Sequence, residues 1–321
     1  MGTALAQSIA TQPEAIERML AVDLVSAVDR LNGAARIWLV GTGTSQHAAE
    51  LGTLMLRDGG QEIHWLSSAA FAQDGPAVGP DDGVLVISHT TESSYARAAR
   101  ERAITARCRL VSITGVGRDW PEAIQTVPAE SSETYTVSYL AALVVLARLA
   151  LELGPARFSA SELAGLPDRV RSAIARAEQF ELVLPERVLV VVSAGPAAIT
   201  AREGALKFRE AARVLSEGYE AEYLLHGGAV PLTREDGLLV LSSAADPDGL
   251  LARLGAAAEH AGLRVSELIE PPGESGVLDQ IPLTAGLQVL AARAAQARGQ
   301  DPDKVIVGPW SDEALWAAGS P

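Results

Sequence analysis

The sequence predicts an α/β protein of two similar halves, each a mostly parallel sheet flanked by helices. Three observations carry this. Apolar runs of strand length alternate with stretches of helical period along the chain, and strands that alternate with helices are joined by crossovers into parallel sheets. One rhythm (apolar strand, small-residue turn, helix, strand) occurs twice, starting near residues 37 and 188. With 321 residues, 48% of them hydrophobic, the chain is long enough for two domains with well-buried cores. Aromatic residues make up only 4%, so packing falls to Ala, Val and Leu.

The elements follow in order. An amphipathic helix is expected over 14–32 and a buried strand at 37–40. The turn Gly41-Thr42-Gly43-Thr44-Ser45 then leads into a helix over 46–57. Strands are expected at 62–66, 84–87 and 109–113, and helices over 92–105 and 136–153. Gly154, Pro155, Gly165 and Pro167 punctuate a helical stretch at 154–183, which reads as a connection. The second half has a strand at 188–192, ended by Ser193-Ala194-Gly195-Pro196, and a helix over 198–215. Strands at 238–241 and 263–268 and a helix over 283–298 complete it. Domains are therefore expected at 1–153 and 184–321, joined by 154–183.

Composition excludes several classes of function. The single cysteine, Cys108, forbids an intrachain disulfide and reads as a small residue at a strand start. No Cys/His spacing suggests zinc, so neither metal nor cofactor is expected. The N-terminus lacks the features of a signal peptide. The longest apolar stretch, near 139–151, is broken by Arg148 and is too short to span a bilayer. A cytoplasmic protein is expected. The net charge of −14 argues against nucleic acid and anionic membrane as partners. It permits an anionic small molecule, because charges beyond the Debye length of about 8 Å are mostly screened.

The chemistry concentrates at 203–210, Glu-Gly-Ala-Leu-Lys-Phe-Arg-Glu, with His226 and Gly227 following. The chain has 24 Arg and two Lys, which makes Lys207 notable. At about 100° per residue, Glu203, Lys207 and Glu210 fall within an arc of about 60°, opposite an apolar stripe of Ala201, Ala205, Phe208, Ala212 and Leu215. Such a row is also what a solvated helix face looks like. In the other half, Thr44 and Ser45 begin a helix and suit either an N-cap or an anion site. A dinucleotide fingerprint fails there, because Gln46 stands where glycine is required and a P-loop Lys is absent. The loop Ser88-His89-Thr90-Thr91-Glu92-Ser93 after the 84–87 strand leaves the same choice open.

Residues 203–210 resemble the pattern E-G-A-L-K-x-K-E of the sugar isomerase (SIS) family, which includes the isomerase half of glucosamine-6-phosphate synthase. Glu217, Tyr219, His226 and Gly227 fall in register with the family's A-E-A-Y-x-x-G-E-x-K-H-G-P. The turn at 41–47 is similar to C-G-T-S-x-H-A, with Thr42 for Cys and His47 one place early. The loop at 88–93 is similar to S-Q-S-G-E-T, with His89 for Gln and Thr91 for Gly. Thr136, between Tyr135 and Val137, matches the Thr of a third motif. The resemblance spans about 30–310.

It implies two tandem SIS domains and a sugar-phosphate ligand. By the same resemblance Glu210 is the base at C1 and C2, His226 the ring-opening group, Lys207 a support for base or oxyanion, and Glu203 an orienter of Lys207. Thr44, Ser45, Ser88, Thr90, Ser93 and Thr136 would bind the substrate. The expected activity is an aldose–ketose isomerase, or an aminosugar-phosphate deaminase/isomerase, working through an enediol or enediolamine. A fructosamine-phosphate deglycase-type lyase and a non-catalytic sugar-phosphate-binding protein are the alternatives. A DNA-binding regulator of this family is disfavoured, since no helix-turn-helix precedes residue 30 and the chain is acidic. The family's glutaminase half has no counterpart in the sequence, so no glutamine amidotransferase activity is expected. The resemblance also implies a homodimer or larger even oligomer, with His226 reaching a neighbouring site. Departures stand at Glu222, Tyr223, Leu225 and Gly228. In the C-terminal tail, Asp301 and Asp303 match the family's opening, but Trp310 takes the place of its Schiff-base lysine.

Overall fold

The computed structural model describes residues 2–243, 246 and 248–317. The chain opens with α1 (Ala4–Ala10), α2 (Gln12–Leu20) and α3 (Val25–Leu31). There follow β1 (Arg36–Gly41), α4 (Thr44–Leu56), β2 (Glu62–Ser67), α5 (Ser68–Asp74), β3 (Asp82–Ile87), α6 (Ser94–Thr105), β4 (Arg109–Thr114) and β5 (Ala123–Gln125). Helices α7 (Val137–Leu153), α8 (Ala160–Ala164) and α9 (Leu166–Glu178) lead to β6 (Leu189–Ser193), α10 (Pro196–Ala212) and β7 (Ser216–Glu220). A short α11 (Ala221–Tyr223) runs into a wide turn over Leu224–Gly228, then β8 (Gly237–Ser242), α12 (Leu250–His260), β9 (Arg264–Ile269), α13 (Gln280–Ala297) and α14 (Glu313–Ala317).

Two all-parallel sheets result, with strand orders β2-β1-β3-β4-β5 and β7-β6-β8-β9. Val40 pairs with Val86 in the first, and Val192 with Val240 in the second. The repeat read from the sequence is thus a shared topology. It extends to backbone detail: Gly43 and Gly195 cap α4 and α10 with φ 58°, ψ −128° and φ 57°, ψ −139°. Glycine adopts that conformation without the steric cost that a side chain would meet.

Strands buried on both faces are near-continuous apolar runs, as parallel sheets require. All six residues of β3 are buried, as are all five of β6. Trp38, Val40, Phe71, Val84 and Val86 form one core of the first sheet. Ala201, Ala205 and Phe208 of α10 pack with Leu283 and Leu287 of α13 beside the second. Helix α7 is apolar nearly all round and buried along most of its length, so its composition reflects a core position. No helix of the described residues is long and apolar enough to cross a membrane.

The structure differs from the sequence expectations in several places. The helix expected over 14–32 is two helices, broken at 21–24. Asp23 accepts from the Val25 amide (3.0 Å), and Arg148 donates to the carbonyls of Met19 and Val22, which holds the break. Helix α10 ends at Ala212, and Leu215 is 60% exposed rather than part of its apolar stripe. The edge strand β7, Ser-Glu-Gly-Tyr-Glu, lacks an apolar run and was not foreseen. Helices α1 and α12 and strand β5 also lie outside the sequence expectations.

By contacts the chain divides into two compact units, but not at a single connection. The first unit holds Glu14–Ser131, Val137–Ala164 and the tail from Ile306; the second holds the leading residues through Pro13, Ser132–Thr136 and Gly165–Val305. Relative to domains at 1–153 and 184–321, α1, 132–136 and α9 belong with the second sheet, and the tail with the first.

Candidate functional site

In the first unit, β1 and β3 are neighbours, and β1 leads to β2 on one side while β3 leads to β4 on the other. Ligands of open α/β sheets sit beyond the carboxyl ends of the strands at such a reversal of strand order. The loops leaving β1 and β3 carry Thr44 and Ser45, and Ser88, Thr90 and Ser93 respectively, so the fold brings these hydroxyls to one edge. Helix α4 starts at Thr44, two residues earlier than expected. The amides of Ser45, Gln46 and His47 donate to the carbonyls of Thr42 and Gly43. They close the turn, so the edge relies more on side chains than the sequence suggests. Ser88 is buried, while Glu92 and Ser93 are exposed. The Thr90 hydroxyl accepts from the Glu92 amide at 3.2 Å.

Both departures in this loop have structural consequences. Thr91 sits at φ 61°, so the position does require the left-handed conformation that a β-branched residue adopts only at a cost. Its hydroxyl donates to the Thr90 carbonyl at 2.6 Å. His89 does not supply a cation. Its ring is largely buried, and burial is the main cause of a pKa below the usual histidine value, with the Arg118 charge acting in the same direction and Glu130 opposing. The imidazole fills space over Gly115, where an added Cβ would lie 2.8 Å from its Cε1.

In the second unit, α10 carries Glu203, Lys207 and Glu210. Lys207 Nζ lies 3.4 Å from Glu203 Oε1 and 2.6 Å from Glu210 Oε2. The side chains of Lys207 and Glu203 are 1% and 0% exposed, and that of Glu210 is 20% exposed. This is not a solvated face. Taking an ion out of water costs several kcal/mol, so the ammonium is held by the two carboxylates. Burial opposes the charge on Lys207, but both carboxylates favour it, and its pKa rises above the usual lysine value. Burial raises the Glu210 pKa, with Lys207 pulling the other way. Behind this row, buried Thr200 donates to Gln280 Oε1 (2.7 Å), and Gln280 Nε2 donates to Ser243 Oγ (3.0 Å). No spacing in the sequence marks that network.

His226 lies on the wide turn after α11, with its side chain 73% exposed and Nε2 3.8 Å from Glu222. Among the described residues no hydrogen bond or ion pair joins it to Glu203, Lys207 or Glu210. It lines a cavity of about 490 Å³ with Arg187, Glu217, Tyr219 and Tyr223. The Tyr219 hydroxyl donates to Glu217, which pushes the phenol up to about 12. Thr136 is fully buried. The segment around it is tied to 302–305: Thr134 Oγ1 donates to the Pro302 carbonyl (2.7 Å) and the Val305 amide to Glu133 (2.7 Å). Asp303, read in the sequence as part of a catalytic tail motif, accepts from the Ala4 and Leu5 amides, both at 2.8 Å, and caps α1. Trp310 is 71% exposed. Among the described residues no cluster of three or more His, Cys, Asp or Glu is placed to hold a metal ion.

The chain matches glutamine–fructose-6-phosphate aminotransferases (isomerizing) in sequence. With that of Thermococcus kodakarensis it is 27% identical over 317 residues, covering 87% of this chain and 52% of the relative. The chain thus spans about half the length of the curated relatives it matches. Among solved structures, tagatose-6-phosphate ketose/aldose isomerase from Escherichia coli aligns at TM-score 0.79 and 20% identity, over 97% of each chain. Glucosamine-6-phosphate deaminase from Thermotoga maritima aligns at TM-score 0.78 and 17% identity, over 94% of this chain and 97% of that one. No family model matches. The fold is that of these sugar-phosphate enzymes, and the resemblance seen at 203–228 is matched by sequence relatives across most of the chain.

Proposed function

We propose that this chain, a relative in sequence of the glutamine–fructose-6-phosphate aminotransferases, is an enzyme that isomerises a sugar phosphate through an enediol or enediolamine. The observation that carries this reading is the buried Glu203–Lys207–Glu210 row. Groups with perturbed pKa values concentrate at active sites, and this row joins a buried ammonium to a carboxylate that still reaches solvent. Glu210 is the proton shuttle between C1 and C2. It is the most exposed of the three, and its raised pKa suits a carboxylate that must take a carbon-bound proton. Lys207 remains an ammonium, and serves to stabilise the negative charge developing on the enediolate oxygen. Glu203, fully buried, holds Lys207 in place. The hydroxyls of Thr44, Ser45, Ser88, Thr90 and Ser93 hold the anionic end of the sugar, and Thr136 supports the site from its buried position.

The same base serves a deaminase/isomerase or a deglycase-type lyase, which differ in the amine released. A lysine imine has no place in this scheme. The charged state of Lys207 suppresses its nucleophilicity, and Trp310 stands where the family has its lysine. His226 opens the ring of the substrate, and its exposure in one chain favours action at the site of a neighbouring subunit in a homodimer or larger even assembly.

The test is a panel of phosphosugars, fructose 6-phosphate, glucosamine 6-phosphate and tagatose 6-phosphate among them, followed in D₂O by NMR. Exchange at C1 or C2 with product formation is expected. Glu210→Gln should lose about 10²- to 10⁴-fold in rate while binding within a few-fold of the parent. Binding with no exchange by the parent would make the chain a sensor, and near-normal turnover by Glu210→Gln would remove it as the base.

A further inference from the structure

In the first unit the loop at 88–93 offers hydroxyls but no positive charge of its own: His89 is held neutral by burial. Both lysines, Lys207 and Lys304, belong to the second unit. A phosphate monoester near neutral pH carries between one and two negative charges, for which hydroxyls alone are weak partners.

The fold sets the guanidinium of Arg118 against this loop. Arg118 follows β4, the strand beside β3, and so leaves the sheet at the same carboxyl edge. The two loops are joined by the Gly115 amide, which donates to the His89 carbonyl at 3.0 Å. Gln125 fixes the backbone around Arg118 from both sides. Its Oε1 accepts from the Gly117 amide at 3.2 Å, and its Nε2 donates to the Arg118 carbonyl at 3.3 Å. The side chain is held differently. Arg118 Nη1 donates to Glu92 Oε1 at 2.9 Å, and Glu92 is 73% exposed against 26% for Arg118. An ion pair with one member in water contributes little. The arginine therefore has a fixed base and a partner that is easily exchanged.

We infer that Arg118 is the cationic ligand of the substrate's phosphate, and that Glu92 occupies the guanidinium until the phosphate displaces it. A phosphate brings more charge than Glu92 and presents its oxygens to the planar fork in the geometry that arginine recognises. The Glu92 carboxylate also opposes any anion on the loop. The two residues thus set the affinity of the site in opposite directions. The inference rests on the reading of 88–93 as the anion loop.

The experiment uses the full chain in a Glu210→Gln background, to suppress turnover, and titrates fructose 6-phosphate and inorganic phosphate calorimetrically at several salt concentrations. Arg118→Gln should raise Kd for the sugar phosphate about ten- to a hundredfold and flatten its salt dependence. Arg118→Lys should recover part of the loss. Glu92→Gln should tighten binding several-fold, and it carries the test if Arg118→Gln does not fold. Weakened binding by Glu92→Gln would show that the pair only braces the loop, and would overturn the inference. So would unchanged binding by Arg118→Gln where Ser88→Ala loses affinity. If the parent binds neither ligand, or Ser88→Ala binds as well as the parent, the anion-loop reading itself fails and takes Arg118 with it.

Discussion

Glu210 and Thr91 show how single residues depart from their ordinary chemistry. With Glu210 as the proposed base, activity should fall as pH drops through its pKa, because a base must be ionised to act. Because burial raises that pKa, the acidic limb of kcat/KM should lie above the ordinary carboxylate range. Lys207 favours the ionised form, so Lys207→Met should move the limb to still higher pH. A limb at the ordinary carboxylate value, unmoved in Lys207→Met, would assign the titration to another group. Thr91 is a stability question. The left-handed conformation costs a β-branched residue about 1–2 kcal/mol, and glycine returns about 0.5–1 kcal/mol of that through the entropy of the unfolded chain. Thr91→Gly should stabilise the protein by up to about 1.5 kcal/mol, read as a higher denaturant midpoint. A lower midpoint would mean that the Thr91–Thr90 hydrogen bond outweighs the strain.

At the scale of elements, α10 explains why periodicity alone misleads. Its charged row has the spacing of a surface face, but β7 and α13 flank the helix, and Ser216 Oγ donates to the Ala205 carbonyl at 2.7 Å. The edge strand β7 is invisible to a search for apolar runs because Glu217, Gly218 and Tyr219 break the pattern. The short helix α1 depends on a residue almost the whole chain away. It has its own N-cap in Thr3, whose hydroxyl accepts from the Ala6 amide at 3.2 Å, but its first two amides are satisfied by Asp303. Losing a side-chain cap costs about 0.5–2 kcal/mol, so Asp303→Ala should destabilise the protein by about that much. Hydrogen exchange at 4–10 should rise with it. Unchanged protection of those amides would leave Thr3 as sufficient.

For the whole molecule, the question is whether one chain makes a complete site. The exposure of His226 motivates a mixing experiment. Glu210→Gln and His226→Ala proteins, each inactive alone, should regain part of the parent's activity when their subunits exchange, because a mixed dimer contains one site with both intact groups. No recovery despite exchange shown by native mass spectrometry would place both groups of each site within one chain.

The sequence by itself determined the α/β class, the parallel sheets and the doubling, because each is written in local period. Buried strands in 37–40, 84–87 and 188–192 and the Gly43 and Gly195 turns are decided within a few residues. Residues 203–210 marked a charged row of unusual composition, and its likeness to a known pattern gave each member an expected role. Tertiary structure alone decided that the row is buried, since burial depends on neighbours distant in sequence. It alone set Arg118 against Glu92 and Asp303 on α1, and left His89 neutral. In each case the deciding term is desolvation or a hydrogen bond between residues far apart along the chain, and neither leaves a period or a spacing for a sequence to display.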